Sequence, residues 1–129
     1  MAKILLVDGE KEVRDFTARF FFDRNFEVIS AASGSEAIAS VRRDCPDIIL
    51  LEIEMRDMDG IEALKRIMKI SRAARVIIVS SVNNIEIKDK AKLLGAADYL
   101  TKPVVLGELI NVVLANLGKQ KRFFSLKKA

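Results

Sequence analysis

The stretch Ile48-Ile49-Leu50-Leu51-Glu52 decides the fold. Four apolar residues run together without polar alternation, and Pro46-Asp47 precedes them. A run this short, bounded by turn chemistry, reads as a strand buried on both faces, which is the signature of a parallel sheet. It stops at a carboxylate. Ile4-Leu5-Leu6-Val7 likewise ends at Asp8, and Val76-Ile77-Ile78-Val79 ends at Ser80. A weaker run, Ala97 to Thr101, ends at Lys102-Pro103, and Phe26 to Ser30 alternates like an edge-ward strand. Open parallel α/β sheets carry ligands and chemistry just beyond the carboxyl ends of their strands. Two acids, a hydroxyl and a lysine are therefore expected at one edge.

Amphipathic segments fill the gaps between these runs. Val13, Phe16, Thr17, Phe20, Phe21 and Arg24 recur at intervals of three and four, which predicts a helix with an aromatic inner stripe and Phe22 turned away from it. Ser33 with Glu36 fits a capping box opening a second helix through Ala37, Ile38 and Val41. Asp59 is placed to cap a third, which starts at Gly60 and runs through Ile61, Leu64, Ile67 and Met68. A short fourth helix ends at Leu94, stopped by Gly95. The fifth carries Leu106, Leu109, Ile110, Val113, Leu114 and Leu117 and is expected to end at Gly118. Five strands alternating with five helices mean parallel βαβ units and one three-layer, doubly wound α/β domain over residues 1–118, with a basic tail over 119–129.

Composition narrows the function. The chain of 129 residues has no histidine, so His-based catalysis and His metal ligation are excluded. Cys45 is the single cysteine, so no intramolecular disulfide forms; it is expected as a small packed side chain before Pro46. The first apolar run is four residues long, too short for a signal peptide, and no run approaches membrane-spanning length, which makes the cytoplasm the expected location. The net charge of +4 belongs to the tail: its last eleven residues carry +5, leaving −1 on residues 1–118. That tail reads as a helix extension or the start of a linker, and nucleic-acid binding is not expected of the domain itself.

Assembled in order, the strand-end residues resemble the receiver domain of two-component response regulators, from Lys3 to about Leu117. The matching pieces are Ile4-Leu5-Leu6-Val7-Asp8, Asp47-Ile48-Ile49-Leu50-Leu51, Met58-Asp59-Gly60, Val79-Ser80-Ser81, Gly95-Ala96-Ala97-Asp98-Tyr99 and Lys102-Pro103. The resemblance implies a flavodoxin-like (βα)5 fold with strand order 2-1-3-4-5. It implies phosphorelay signalling, in which a partner histidine kinase or phosphotransfer protein donates a phosphoryl group to an aspartate after strand 3. It further implies Ser80 and Tyr99 as switch residues, Lys102 as the phosphate-contacting lysine, a cis Lys102-Pro103 bond, and an output face on helix 4, strand 5 and helix 5. No catalytic activity of its own is expected.

The departures from the family fall on the chemistry. Glu52 stands at the phosphoacceptor position, Gly9 stands where a second acid follows Asp8, and Arg56 replaces a loop proline. Asp8 and Glu10 remain as the acidic pocket, with Asp8, Glu52 and the backbone carbonyl of Glu54 as candidate magnesium ligands. With one acid missing, Mg2+ binding is expected to be weak or absent. Glutamate carries its carboxylate about 1.5 Å further than aspartate, within reach of Lys102 and Ser80. Glu52 is thus a structural partner of Lys102, a constitutive mimic of the phosphorylated state, or an unusual acceptor. Blander roles exist for Ser80, which can bond nearby backbone, and for Tyr99, which can be a packing ring with a wet hydroxyl. A small flavodoxin-like cofactor binder is the rival from another class. Asp8-Gly9-Glu10-Lys11-Glu12 argues against it, because a phosphate wants uncharged amide donors there.

Overall fold

All ten elements form in the order expected. The computed structural model describes residues 1–128, with side chains described through Lys119. The chain runs β1 (Lys3–Val7), α1 (Lys11–Phe22), β2 (Glu27–Ala31), α2 (Gly34–Asp44), β3 (Ile48–Leu51), α3 (Gly60–Ile70), β4 (Arg75–Ser80), α4 (Ile85–Leu93), β5 (Asp98–Thr101) and α5 (Leu106–Lys128). Every strand pair is parallel, and the sheet order is β2-β1-β3-β4-β5.

Alternation along each strand builds two cores. Leu5, Val7, Ile49, Leu51, Val76 and Ile78 point to one face and pack with Ala37 and Val41 of α2, Leu64 and Ile67 of α3, and Ala91 of α4. Ile4, Leu6, Ile48, Leu50 and Ile77 point to the other and meet Phe21 of α1 and Leu109 and Val113 of α5. Successive strand residues face opposite ways, so a sheet covered by helices on both sides needs unbroken apolar runs. All four residues of β3 are buried accordingly.

Helix ends follow local chemistry. The Ser33 hydroxyl accepts the Glu36 N–H at 3.2 Å, while the Glu36 carboxylate reaches the Ala32 N–H at 2.9 Å, one residue earlier than a capping box predicts. Asp59 accepts the Ile61 N–H at 2.8 Å to start α3. Gly95, at φ +110°, turns the chain out of α4, and the Ala96 N–H returns to the Ala91 carbonyl at 3.0 Å.

Four expectations need correction. Phe16 is 67 % exposed and lies outside the α1 core stripe. The helix turns Phe21 inward, edge-on to both Phe20 and Phe26, and the five-residue spacing sets Phe16 about 140° around the helix from it. Phe22 is exposed as expected, whereas Leu114 of α5 is exposed where it was expected inside. Cys45 is exposed rather than packed, because it closes α2 in the left-handed conformation at φ +48°. Finally, α5 does not end at Gly118 but continues to Lys128. The expected roles of the tail cations beyond Lys119 lie outside the described side chains.

Candidate functional site

Parallel register gathers the candidate residues at one edge. Val7 pairs with Leu51, Leu51 with Ile78, and Ser80 with Thr101, so each strand releases its next residues on the same side. The Glu52 N–H donates to the Val7 carbonyl at 3.1 Å, and the Lys102 N–H donates to the Ser80 carbonyl at 2.8 Å. The Lys102-Pro103 peptide bond is cis, as the resemblance implies.

Lys102 is the hub. Its Nζ donates to Asp8 Oδ2 at 2.8 Å and to Glu52 Oε1 at 3.0 Å. Glu52 is only 7 % exposed, and a carboxylate that deep needs every oxygen served. Its other oxygen accepts the Ile53 N–H at 2.7 Å and the Glu54 N–H at 3.4 Å. Asp8 Oδ1 accepts the Glu10 N–H at 2.9 Å. Burial works to lower the Lys102 pKa, but hydrogen bonds and charge attraction from Asp8 and Glu52 outweigh it and hold the ammonium above its ordinary value.

A second cation stands close by that sequence reasoning missed. Arg14 donates to the Asp8 carbonyl at 2.7 Å and, with Asp8, Glu52 and Lys102, lines a small pocket of about 50 Å³. Its signal was positional: it lies seven residues before Phe21, on the same helix face.

Ser80 and Tyr99 sit beside this cluster without joining it. Ser80 is fully buried, and its hydroxyl accepts the Val82 N–H at 3.1 Å. The expected reach of Glu52 to Ser80 is not realised; the Glu52 oxygens bond Lys102 and the two loop amides. The Tyr99 hydroxyl donates to the Val82 carbonyl. Burial pushes the Tyr99 phenol up, the Ser80 hydroxyl opposes this, and the charge of Glu52 adds to it. Both side chains therefore hold the start of the β4–α4 loop.

The remaining acids are peripheral. Glu10, Glu54, Arg56 and Asp59 line an open basin of about 600 Å³ next to Gly9, with nothing within 4 Å of where a Cβ on Gly9 would stand. The Glu54 side chain accepts weakly from the Ser81 hydroxyl at 3.5 Å. As arranged, the donor set does not fit a magnesium ion. That ion wants several hard oxygens and room for water, whereas the Lys102 ammonium already bridges Asp8 and Glu52. Among the described residues no group of three or more acids or cysteines is placed to hold a metal.

Comparison with known proteins agrees with the fold. The chain matches the response regulator receiver domain over residues 4–114. It belongs to that family. This receiver domain is 33 % identical over 111 residues to sporulation initiation phosphotransferase F of Bacillus subtilis, covering 86 % of this chain and 90 % of that one. It is 35 % identical over 118 residues to the regulatory protein AtoC of Escherichia coli, covering 92 % of this chain but only 26 % of that protein. Among solved structures it superimposes with a TM-score of 0.92 on a receiver domain protein from Methanospirillum hungatei, at 26 % identity and with 95 % and 98 % of the two chains covered. The chain is thus a receiver module of two-component signalling with the flavodoxin-like fold. Such domains interact with kinases or effector domains. Among the described residues no helix is long and apolar enough to cross a membrane.

Proposed function

We propose that this receiver domain is a phosphorylation-impaired interaction switch, in which Glu52 holds the phosphoacceptor position and pairs with Lys102. One observation carries this reading: the Lys102 ammonium bridges Glu52 and Asp8 at 3.0 and 2.8 Å. Phosphoryl transfer to a carboxylate needs an in-line nucleophile, a divalent cation and a free cation opposite. Here the cation is committed to the nucleophile itself. Misplacement by about 1 Å costs on the order of 100-fold where geometry supplies the rate. Mg2+ binding is weak or absent on the same grounds.

The structural pairing is favoured over a constitutive mimic of the phosphorylated state. A mimic must prefer the active arrangement of Ser80 and Tyr99, and Glu52 bonds neither. The domain works in the cytoplasm, without catalytic activity, through a histidine kinase or a downstream signalling protein. The face of α4, β5 and α5 is the docking surface the family resemblance implies, and Ile85 and Leu93 of α4 and Leu114 of α5 are exposed. The test is incubation with a small acyl phosphate and Mg2+, followed by intact mass measurement. No phosphoryl adduct is expected, and ready labelling of Glu52 overturns the proposal.

A further inference from the structure

The loop from Ile53 to Asp59 leaves β3 directly after Glu52 and is closed at its base. The Gly60 N–H donates to the Ile53 carbonyl at 2.7 Å, and a Cβ on Gly60 would stand 2.3 Å from the Glu52 carbonyl oxygen. Its tip is tied to a different element. Asp57 Oδ1 accepts the Gly34 N–H at 2.9 Å, and Oδ2 accepts the Ser35 N–H at 2.9 Å and the Ser35 hydroxyl at 2.7 Å. Met58 packs against the same glycine so closely that a Cβ on Gly34 would stand 2.4 Å from Met58 Cγ. Ser33 takes the Glu36 N–H, so the first turn of α2 is satisfied between Ser33 and Asp57. The exposed Asp57 carboxyl is correspondingly stabilised as the anion, the Ser35 hydroxyl, the Ser35 N–H and the Gly34 N–H lowering it to about 2.

We infer that Asp57 is a positioning residue, a latch from the β3–α3 loop to α2 that holds the Ile53 and Glu54 amides against Glu52 and so keeps Glu52 on Lys102. The chain of contact is short: Asp57 fixes the tip, Gly60 fixes the base, and the two amides between donate to Glu52 Oε2 at 2.7 and 3.4 Å. Glu54 and Arg56 are exposed and give the loop little packing of their own. Met55 and Met58 do pack on the core, and they are the competing explanation for a fixed loop. The latch acts on Glu52 whether or not that position ever carries a phosphoryl group. It also makes the start of α2 a place from which movement reaches the Lys102 cluster.

The experiment is amide hydrogen exchange on the full chain by NMR. In Asp57→Ala, the Ile53 and Glu54 amides are expected to exchange about tenfold faster, as for the loss of a helix cap. Amides of β1 and of α5 up to Lys119 keep their rates. Asp57→Asn restores part of the protection, because its one carbonyl oxygen can take the Gly34 or the Ser35 amide while its NH2 faces the other. Ser35→Glu sets a second carboxylate against Asp57 and reproduces the alanine variant. Unchanged exchange at Ile53 and Glu54 in both Asp57→Ala and Ser35→Glu overturns the inference in favour of the methionines. A uniform rise over the whole chain overturns it too, by making Asp57 a general stabiliser.

Discussion

Lys102 Nζ stands 3.0 Å from Glu52 Oε1 while holding Asp8 Oδ2 at 2.8 Å on its other side. One cation serving two carboxylates makes the partners unequal. Glu52→Gln leaves Lys102 paired with Asp8 and keeps an oxygen for the Ile53 amide while its NH2 faces the ammonium, so the expected loss is about 1–2 kcal/mol. Lys102→Met leaves two enclosed carboxylates facing each other, and the loss should be about 3 kcal/mol, the low end for a broken buried pair. Lower-end values apply because the Lys102 side chain keeps 26 % of its exposure. Urea unfolding at neutral pH measures both, and equal losses would show that the pair is not the hub described here.

The pH dependence follows from two groups with opposite signs. Lys102 is raised above 10.5 when folded, so its contribution is complete below that value and disappears as pH climbs through the higher folded value. Asp57 is lowered from 3.8 to about 2, so its contribution is complete above 3.8 and disappears as pH falls toward 2. Stability profiles should therefore lose slope on the alkaline side in Lys102→Met and on the acid side in Asp57→Asn. The same variants should leave the opposite limbs unaltered.

The convergence of Asp8, Glu52, Ser80 and Lys102 was legible because strands buried on both faces have one grammar, and parallel topology sends their ends to one edge. Phe16 was misread because two overlapping stripes fit the α1 spacing, and only the docking of Phe21 on the sheet selects between them. Asp57 was invisible for a different reason. Its partners Gly34 and Ser35 lie 23 and 22 residues away, and a lone aspartate in a polar loop carries no periodic signal. Cys45 was misplaced because its exposure follows from a left-handed backbone at a helix end, where glycine or asparagine is the usual marker.

Reconstructing an acceptor site requires two changes. Glu52→Asp shortens the carboxylate by about 1.5 Å and releases Lys102, but leaves Asp8 without an adjacent acid. Gly9 has no atom within 4 Å of where a Cβ would stand, so Gly9→Asp is sterically free. The double variant should gain a phosphoryl adduct from an acyl phosphate with Mg2+, and Glu52→Asp alone should gain little. Intact mass decides it, and full labelling of the single variant would show that Gly9 is not what limits the metal.

At the opposite end of the sheet Asn116 is fully buried and serves three elements at once. Its Oδ1 accepts from Arg75 Nε and from a terminal guanidinium nitrogen at 3.2 Å each, and its Nδ2 donates to Asp98 Oδ2 at 2.8 Å and to the Val112 carbonyl at 2.9 Å. The amide is the one side chain there that accepts from a cation and donates to an anion, tying α5 to the starts of β4 and β5. Asn116→Ala strands both partners and should lose about 1–3 kcal/mol. Asn116→Asp keeps the bond from Arg75 but sets an acceptor against Asp98, so it should lose more than the alanine variant despite its closer shape. Urea midpoints rank the two, and an aspartate variant as stable as wild type would mean that Arg75 alone governs the junction.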